Sequence, residues 1–302
     1  MLNNRFFSPA RIMVIASNTF TQLVRMKVFY FLAIFALLVV AASFIEFPWS
    51  RTTENSAEQE LIVLKSTAMG TMTIFSILFA IAATALLIPK DLEDRTLYTI
   101  LSKPVPRLDY LMGKLLGVLI LIALSLLILN ILLSIILHFR TTDLLFTEVQ
   151  NAKQQGMPQD YIADRVMAIK QQGVTWSFQA GIAAMFFKAM IMASIALLIS
   201  TFSSSTLFTI IISVVVYFIG HFTADARDQW LDGMKQTSVT MKYASQLIAL
   251  VFPDFQIYNI VDSTIQGTKV PQGVFSRLVT LTFLYTAIYT VLSWFTFRKK
   301  EF

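Results

Sequence analysis

The sequence predicts an all-α polytopic membrane protein with six transmembrane helices and both termini on the inner face. Three observations predict it. Of 302 residues, 56% are apolar and only 14% are Asp, Glu, Lys or Arg, against about 25% charged residues in a soluble domain. Six stretches are long and apolar enough, or nearly so, to cross a hydrocarbon core that needs about 20 helical residues. The basic residues gather on alternate loops, as the positive-inside rule requires. So little charge cannot cover a water-facing surface of this size, which argues against a soluble enzyme, a nucleic-acid-binding domain and a disordered chain. The absence of Cys excludes a disulfide framework, a zinc–thiolate site and a cysteine nucleophile.

In chain order, Ser8 and Pro9 open an N-terminal helix as cap and first-turn residue. Ile12, Ile15, Ala16, Phe20 and Leu23 recur at helical spacing, with Arg11, Asn18, Gln22 and Arg25 elsewhere round the wheel. The pattern predicts a helix in the inner interface, within a cytoplasmic segment 1–27, rather than an extension of the first span. The spans follow at 28–45, 70–88, 115–137, 180–202, 207–222 and 278–297. The first is too long and too far from the N-terminus for a cleaved signal sequence and reads as a retained anchor. The second is expected to stop at Pro89, and the fourth and fifth to be joined by a tight turn at 203–206. Inner segments hold 12 Lys and Arg in 62 residues, and outer segments hold 11 in 121. The orientation is therefore N-in and C-in.

Outside the core, 138–179 reads as two short amphipathic helices, about Asp143–Gln155 and from Pro158 to Gly173. The outer segment 223–277 is mixed, with a short apolar run at Gln246–Phe252 that is too brief to span. Trp49, Trp176, Trp230 and Trp294 lie near span ends, as in an interfacial belt.

The informative inner segment is 89–114. Asp91, Glu93 and Asp94 are expected at the N-terminal end of a short helix, where acids suit the dipole. Leu92, Thr96, Thr99 and Ile100 share its face, Leu97 and Leu101 widen the apolar side, and Pro104 and Pro106 end it. A stiff amphipathic rod between two spans is something that a second protein can push on.

This segment resembles that of the membrane subunits of type-2 ABC transporters. The resemblance rests on Thr96-Leu97, Leu101-Ser102-Lys103-Pro104-Val105, Arg107 and Tyr110-Leu111-Met112-Gly113-Lys114. Arg95 departs from it, since many members have Gly before the Thr. The stretch Phe252-Pro253-Asp254-Phe255-Gln256-Ile257-Tyr258-Asn259 resembles a segment of relatives that include copper-enzyme maturation permeases. The resemblance implies a single permease domain over 1–302 in a bacterial cytoplasmic membrane, with membrane lipid and no nucleic acid among its partners. It also implies pairing with a second permease copy or paralogue, and docking of each copy on a cytoplasmic ABC ATPase through a coupling helix in 89–114. Asp91, Glu93, Asp94, Arg95, Thr96 and Leu97 would then lie at or near the ATPase groove. Export is the direction that the family analogy implies. ATP and Mg2+ belong to the partner, because no Gly-x-x-x-x-Gly-Lys-Ser/Thr loop is present: Gly113-Lys114 lacks the first Gly and is followed by Leu115.

Two intramembrane polar residues stand out. Lys188 either serves a pathway or snorkels outward. Asn130, with Ser125 and Ser134 nearby, is placed for bonding between helices. His138, His221 and the scattered Met make poor metal ligands, and no cofactor is expected on this chain. Two rival readings are a non-transporting scaffold for outer-face factors and an intramembrane enzyme. The latter lacks a His-Glu-x-x-His or Gly-x-Ser-x-Gly motif and any paired intramembrane aspartates.

Overall fold

A computed structural model describes residues 8–27, 56–93, 105–203, 205–233 and 252–298, with residues 30, 33, 34, 37 and 38 between the first two stretches. Every regular element among them is helical: α1 Pro9–Val24, α2 Ser56–Glu93, α3 Arg107–Gln154, α4 Gln159–Gln171, α5 Trp176–Phe202, α6 Thr206–Gly233, a 3-10 turn Phe255–Tyr258, α7 Ile260–Ile265 and α8 Gln272–Arg298. Four stretches are long and apolar enough to cross a membrane: Ala57–Pro89, Arg107–Gln154, Gln159–Phe202 and Gln272–Arg298. Thr206–Phe222 is a shorter apolar helix. Most of the expected span 28–45 and the run Gln246–Phe252, apart from Phe252 itself, lie outside the described residues.

The centre of the bundle is α5, which touches α2, α3, α6, α7 and α8. Its most apolar window is 78% buried, against 33% for that of α8. The cause is composition. Ala180, Gly181, Ala184, Ala189, Ala193, Ser194, Ala196 and Ser200 are all buried on it, and small residues let helices approach closely where lipid supplies no hydrophobic drive between them. At Gly181 a Cβ would lie only 3.0 Å from the Met69 side chain of α2 and from Thr264 of α7. Met190 and Met192 are buried filling in the same helix. Many hydroxyls are satisfied within their own helices, as Thr282 on Leu278 O and Ser293 on Tyr289 O illustrate, or across to a neighbour, as in Thr201 with Thr296; those of Thr84, Thr141 and Thr286 are buried without a partner among the described residues.

Several expected boundaries shift. The expected outer helix at Asp143–Gln155 is not separate, because α3 runs unbroken to Gln154. After Gly117 no Gly or Pro occurs until Gly156, whose φ of 66° allows the chain to turn. Pro89 does not stop α2, which continues to Glu93. A proline removes one backbone bond, and neighbouring helices can hold the helix through that gap. Asp91 and Glu93 consequently lie in the last described turn of α2, not in the first turn of a new helix. The fifth apolar stretch is continued by helix as far as Gly233. Between α5 and α6 the Ser203 hydroxyl donates to Ser205 O and accepts from Ser205 N–H, and Ser204, within the expected turn, lies outside the described residues.

Candidate functional site at the α2–α3 junction

Asp91, in the last described turn of α2, and Arg107, the first residue of α3, open onto one junction of four helices. Pro106 stands at the N-cap of α3 in an extended conformation. Beside it the Arg107 guanidinium donates to Phe297 O at 2.6 Å and Arg298 O at 2.8 Å, capping the C-terminal carbonyls of α8, where a cation also meets the negative end of the dipole. The Phe297 ring lies beneath that guanidinium and stacks on Tyr110.

Two residues further on, Asp109 is fully buried. Its Oδ2 accepts from the Arg11 side chain at 3.0 Å and from the Ser8 backbone N–H at 3.3 Å. The Ser8 side chain makes no capping bond of its own, so the carboxylate of α3 serves the N-terminus of α1. Sequence reading placed Ser8 in that role and did not single out Asp109.

Asp91 is buried rather than displayed. Its Oδ2 accepts from the Tyr110 hydroxyl at 2.6 Å and pairs with Lys114 Nζ at 2.7 Å. Lys114 also donates to Gln22 of α1 at 3.3 Å. Removing one partner of such a buried pair leaves an uncompensated charge and costs about 3–5 kcal/mol. Gly113 and Gly117 form the seat for α1. A Cβ at Gly113 would lie 2.7 Å from Ile15 Cβ, and one at Gly117 would lie 2.8 Å from Ala16 O. The face of α1 that goes down is accordingly Ile12, Ala16, Thr19 and Leu23, a narrower stripe than its periodicity predicts, while Met13 and Val14 are exposed.

The residues that carried the family resemblance thus have individual physical roles. Arg107 holds α8, Tyr110 and Lys114 hold α2, and Gly113 admits α1. Glu93 ends α2, and Asp94, Arg95, Thr96 and Leu97 lie outside the described residues.

The remaining polar residues sit elsewhere. Asn130 donates to Gln179 of α5 at 2.8 Å and accepts from Ser134. Lys188 is buried in α5 against the rings of Tyr217 and Phe255. At the opposite end of α2, Lys65 is buried and donates to Gln172 Oε1 and, at 3.1 Å, to Thr264 O. Gln172 in turn donates to Gln266 O and lies against Gly267, where a Cβ would be 2.8 Å from its Nε2 and where the φ of 75° also favours glycine. Nothing in the sequence around Lys65 flagged this cluster. Outside the spans, burial pushes the Tyr258 hydroxyl up to about 12, although its bond with Thr282 opposes the shift. Among the described residues no group of three His, Cys, Asp or Glu could hold a metal ion.

No curated protein matches the chain. A family model described as ABC-2 family transporter protein matches residues 13–302, nearly the whole length, and agrees with the apolar helices and the junction motif. This family supplies membrane components of transport systems, and the chain belongs to it: it is a multi-pass ABC-2 family transporter protein of the type-2 ABC permease kind.

Proposed function

We propose that the chain is the permease subunit of an ATP-driven exporter in a bacterial cytoplasmic membrane. In this reading it has six spans and both termini inside, and works with a second copy or paralogue. A cytoplasmic ABC ATPase would bind ATP and Mg2+ and engage the segment between α2 and α3. One observation carries the reading: both ends of that segment are fastened into the same junction, by Asp91 to Lys114 and Tyr110, and by Arg107 to the end of α8. A push on the segment would therefore reach α1, α2, α3 and α8 together. Because Asp91 is occupied by Lys114, its part would be to hold the segment's root. Glu93, Asp94, Arg95, Thr96 and Leu97 would meet the ATPase.

The test replaces Glu93 and Arg95 by Ala in the protein co-expressed with an ABC ATPase that co-purifies with the wild-type chain. Co-purification and stimulated ATP turnover should both fall, with α-helical content unchanged. If both stay at wild-type values, the assignment fails. Labelling of single cysteines placed at Thr99 and Lys103 should come from the cytoplasmic face, and labelling from the far face would overturn the orientation.

A further inference from the structure

Lys188 stands near the middle of α5 and is 4% exposed. Its Nζ lies 5.4 Å from the centre of the Tyr217 ring and 5.9 Å from that of Phe255. Among the described residues it has no hydrogen-bond acceptor and no carboxylate at ion-pair distance. Asp262 on α7 acts on it only through the longer-range field. Cation–π contacts supply about 0.5–2 kcal/mol each, less than the several kcal/mol that burying an ammonium costs. Among the described residues the charge is therefore under-compensated.

A second nitrogen borders the same ring. His221, one turn beyond Tyr217 on α6, stacks on it with centroids 6.1 Å apart. Its Nδ1 is buried and has no partner among the described residues. The cover over this region is the chain from Pro253 to Tyr258. Phe255 is fully buried and seated on Gly220, where a Cβ would lie 2.7 Å from its ring and from Pro253 O. Beside the two nitrogens, α6 carries an exposed apolar stripe of Ile211, Val215, Phe218 and Phe222, spaced to lie on one helical face. An ammonium without an acceptor among the described residues, beside an imidazole nitrogen that can donate as one tautomer or as the cation, next to an apolar stripe, has the chemistry for an acid with a tail.

We propose that Lys188 and His221 bind the acidic head group, carboxylate or phosphate, of an amphipathic molecule whose apolar chain lies along that stripe of α6. This deepens the permease reading and rests on it in one respect, since it names the class of cargo.

The experiment uses the full chain in phosphatidylcholine nanodiscs, without any ATPase. Binding of tritiated palmitate and of tritiated phosphatidic acid is measured separately, with palmityl alcohol and inorganic phosphate as competitors. Saturable binding of at least one of the two acids is expected, displaced by neither competitor. Whichever acid binds more tightly identifies the head group. Lys188→Met should weaken it by about tenfold to a hundredfold, the loss of one charge-assisted hydrogen bond. His221→Gln should weaken it by a smaller factor, and Lys188→Arg should retain most of the affinity. Saturable binding of neither acid, or an affinity unchanged in Lys188→Met, overturns the proposal. So does equal displacement by the alcohol, which would mean that the tail alone is recognised. Displacement by inorganic phosphate would mean a site for small anions and would equally overturn it. If Lys188→Met does not yield folded protein, His221→Gln and the competitor arms decide the matter. Loss of binding leaves the coupling test on Glu93 and Arg95 untouched, and failure of that test leaves the binding result standing.

Discussion

The two ends of α2 are fastened by different chemistry. At Asp91 the clasp is an ion pair with a phenol beside it, and its members are buried. At Lys65 the clasp is an ammonium held by an amide oxygen and a backbone carbonyl. The first joins residues of two consecutive helices, with Gln22 of α1 in support. The second draws together residues 107 and 199 positions apart in the chain. Neutral acceptors hold a buried cation less firmly than a carboxylate does, but neither clasp leaves its lysine unanswered. Lys188, near the middle of α5, has no such acceptor among the described residues, and this contrast is what the proposed anion site rests on.

The comparison breaks most directly at Lys114. Lys114→Met strands the Asp91 carboxylate and should destabilise the protein by about 3–5 kcal/mol. A large drop in the thermal unfolding midpoint of the detergent-solubilised chain would register it, and the double variant Lys114→Met/Asp91→Leu should recover much of the loss. A single variant as stable as wild type would show that the junction does not depend on this pair.

Lys65→Met should cost less, about 1–3 kcal/mol, because the groups it hydrogen-bonds are neutral and the Glu58 carboxylate, held by Gln172, acts on it only from further away. The same unfolding assay reads it, and a loss equal to that of Lys114→Met would erase the proposed distinction between the two ends. Gly117→Val tests the α1 seat. Its Cβ would meet the Ala16 carbonyl, and overpacking of this kind costs about 1–3 kcal/mol. Limited proteolysis should then cut near α1 faster than in wild type, while the Lys65 end stays protected.

Arg107→Ala should have the smallest effect, about 1–2 kcal/mol for the lost cap and dipole contact. Increased hydrogen exchange confined to the last turn of α8 would sharpen the picture of separate fastenings. Exchange spreading into α2 would show that the junction acts as one unit.

Legibility in the sequence followed distance along the chain. Hydropathy located the helices, since it needs only neighbours. Its ends were less secure: Pro89 looked like a stop, and the helix after Leu137 looked separate, because one proline or a change to polar residues weakens the local pattern without breaking the hydrogen-bond ladder. At the junction, the motif residues Arg107, Tyr110, Gly113 and Lys114 were legible as a set, but their individual tasks were not. Asp91 read as a surface acid of a new helix, and its burial on Lys114 depends on how α2 and α3 return to one another. Asp109 gave no signal, since its partners Ser8 and Arg11 lie about a hundred residues away.

The amino-acid sequence by itself determined the membrane class, the positions of most apolar helices and the family motif, because each depends on local composition and short spacing. The tertiary structure alone decided which helix lies at the centre, which glycines face another backbone, and which buried lysines find acceptors. Helices in lipid associate through close steric fit and a few polar contacts rather than through a periodic hydrophobic face, and that fit leaves little pattern to read along the chain.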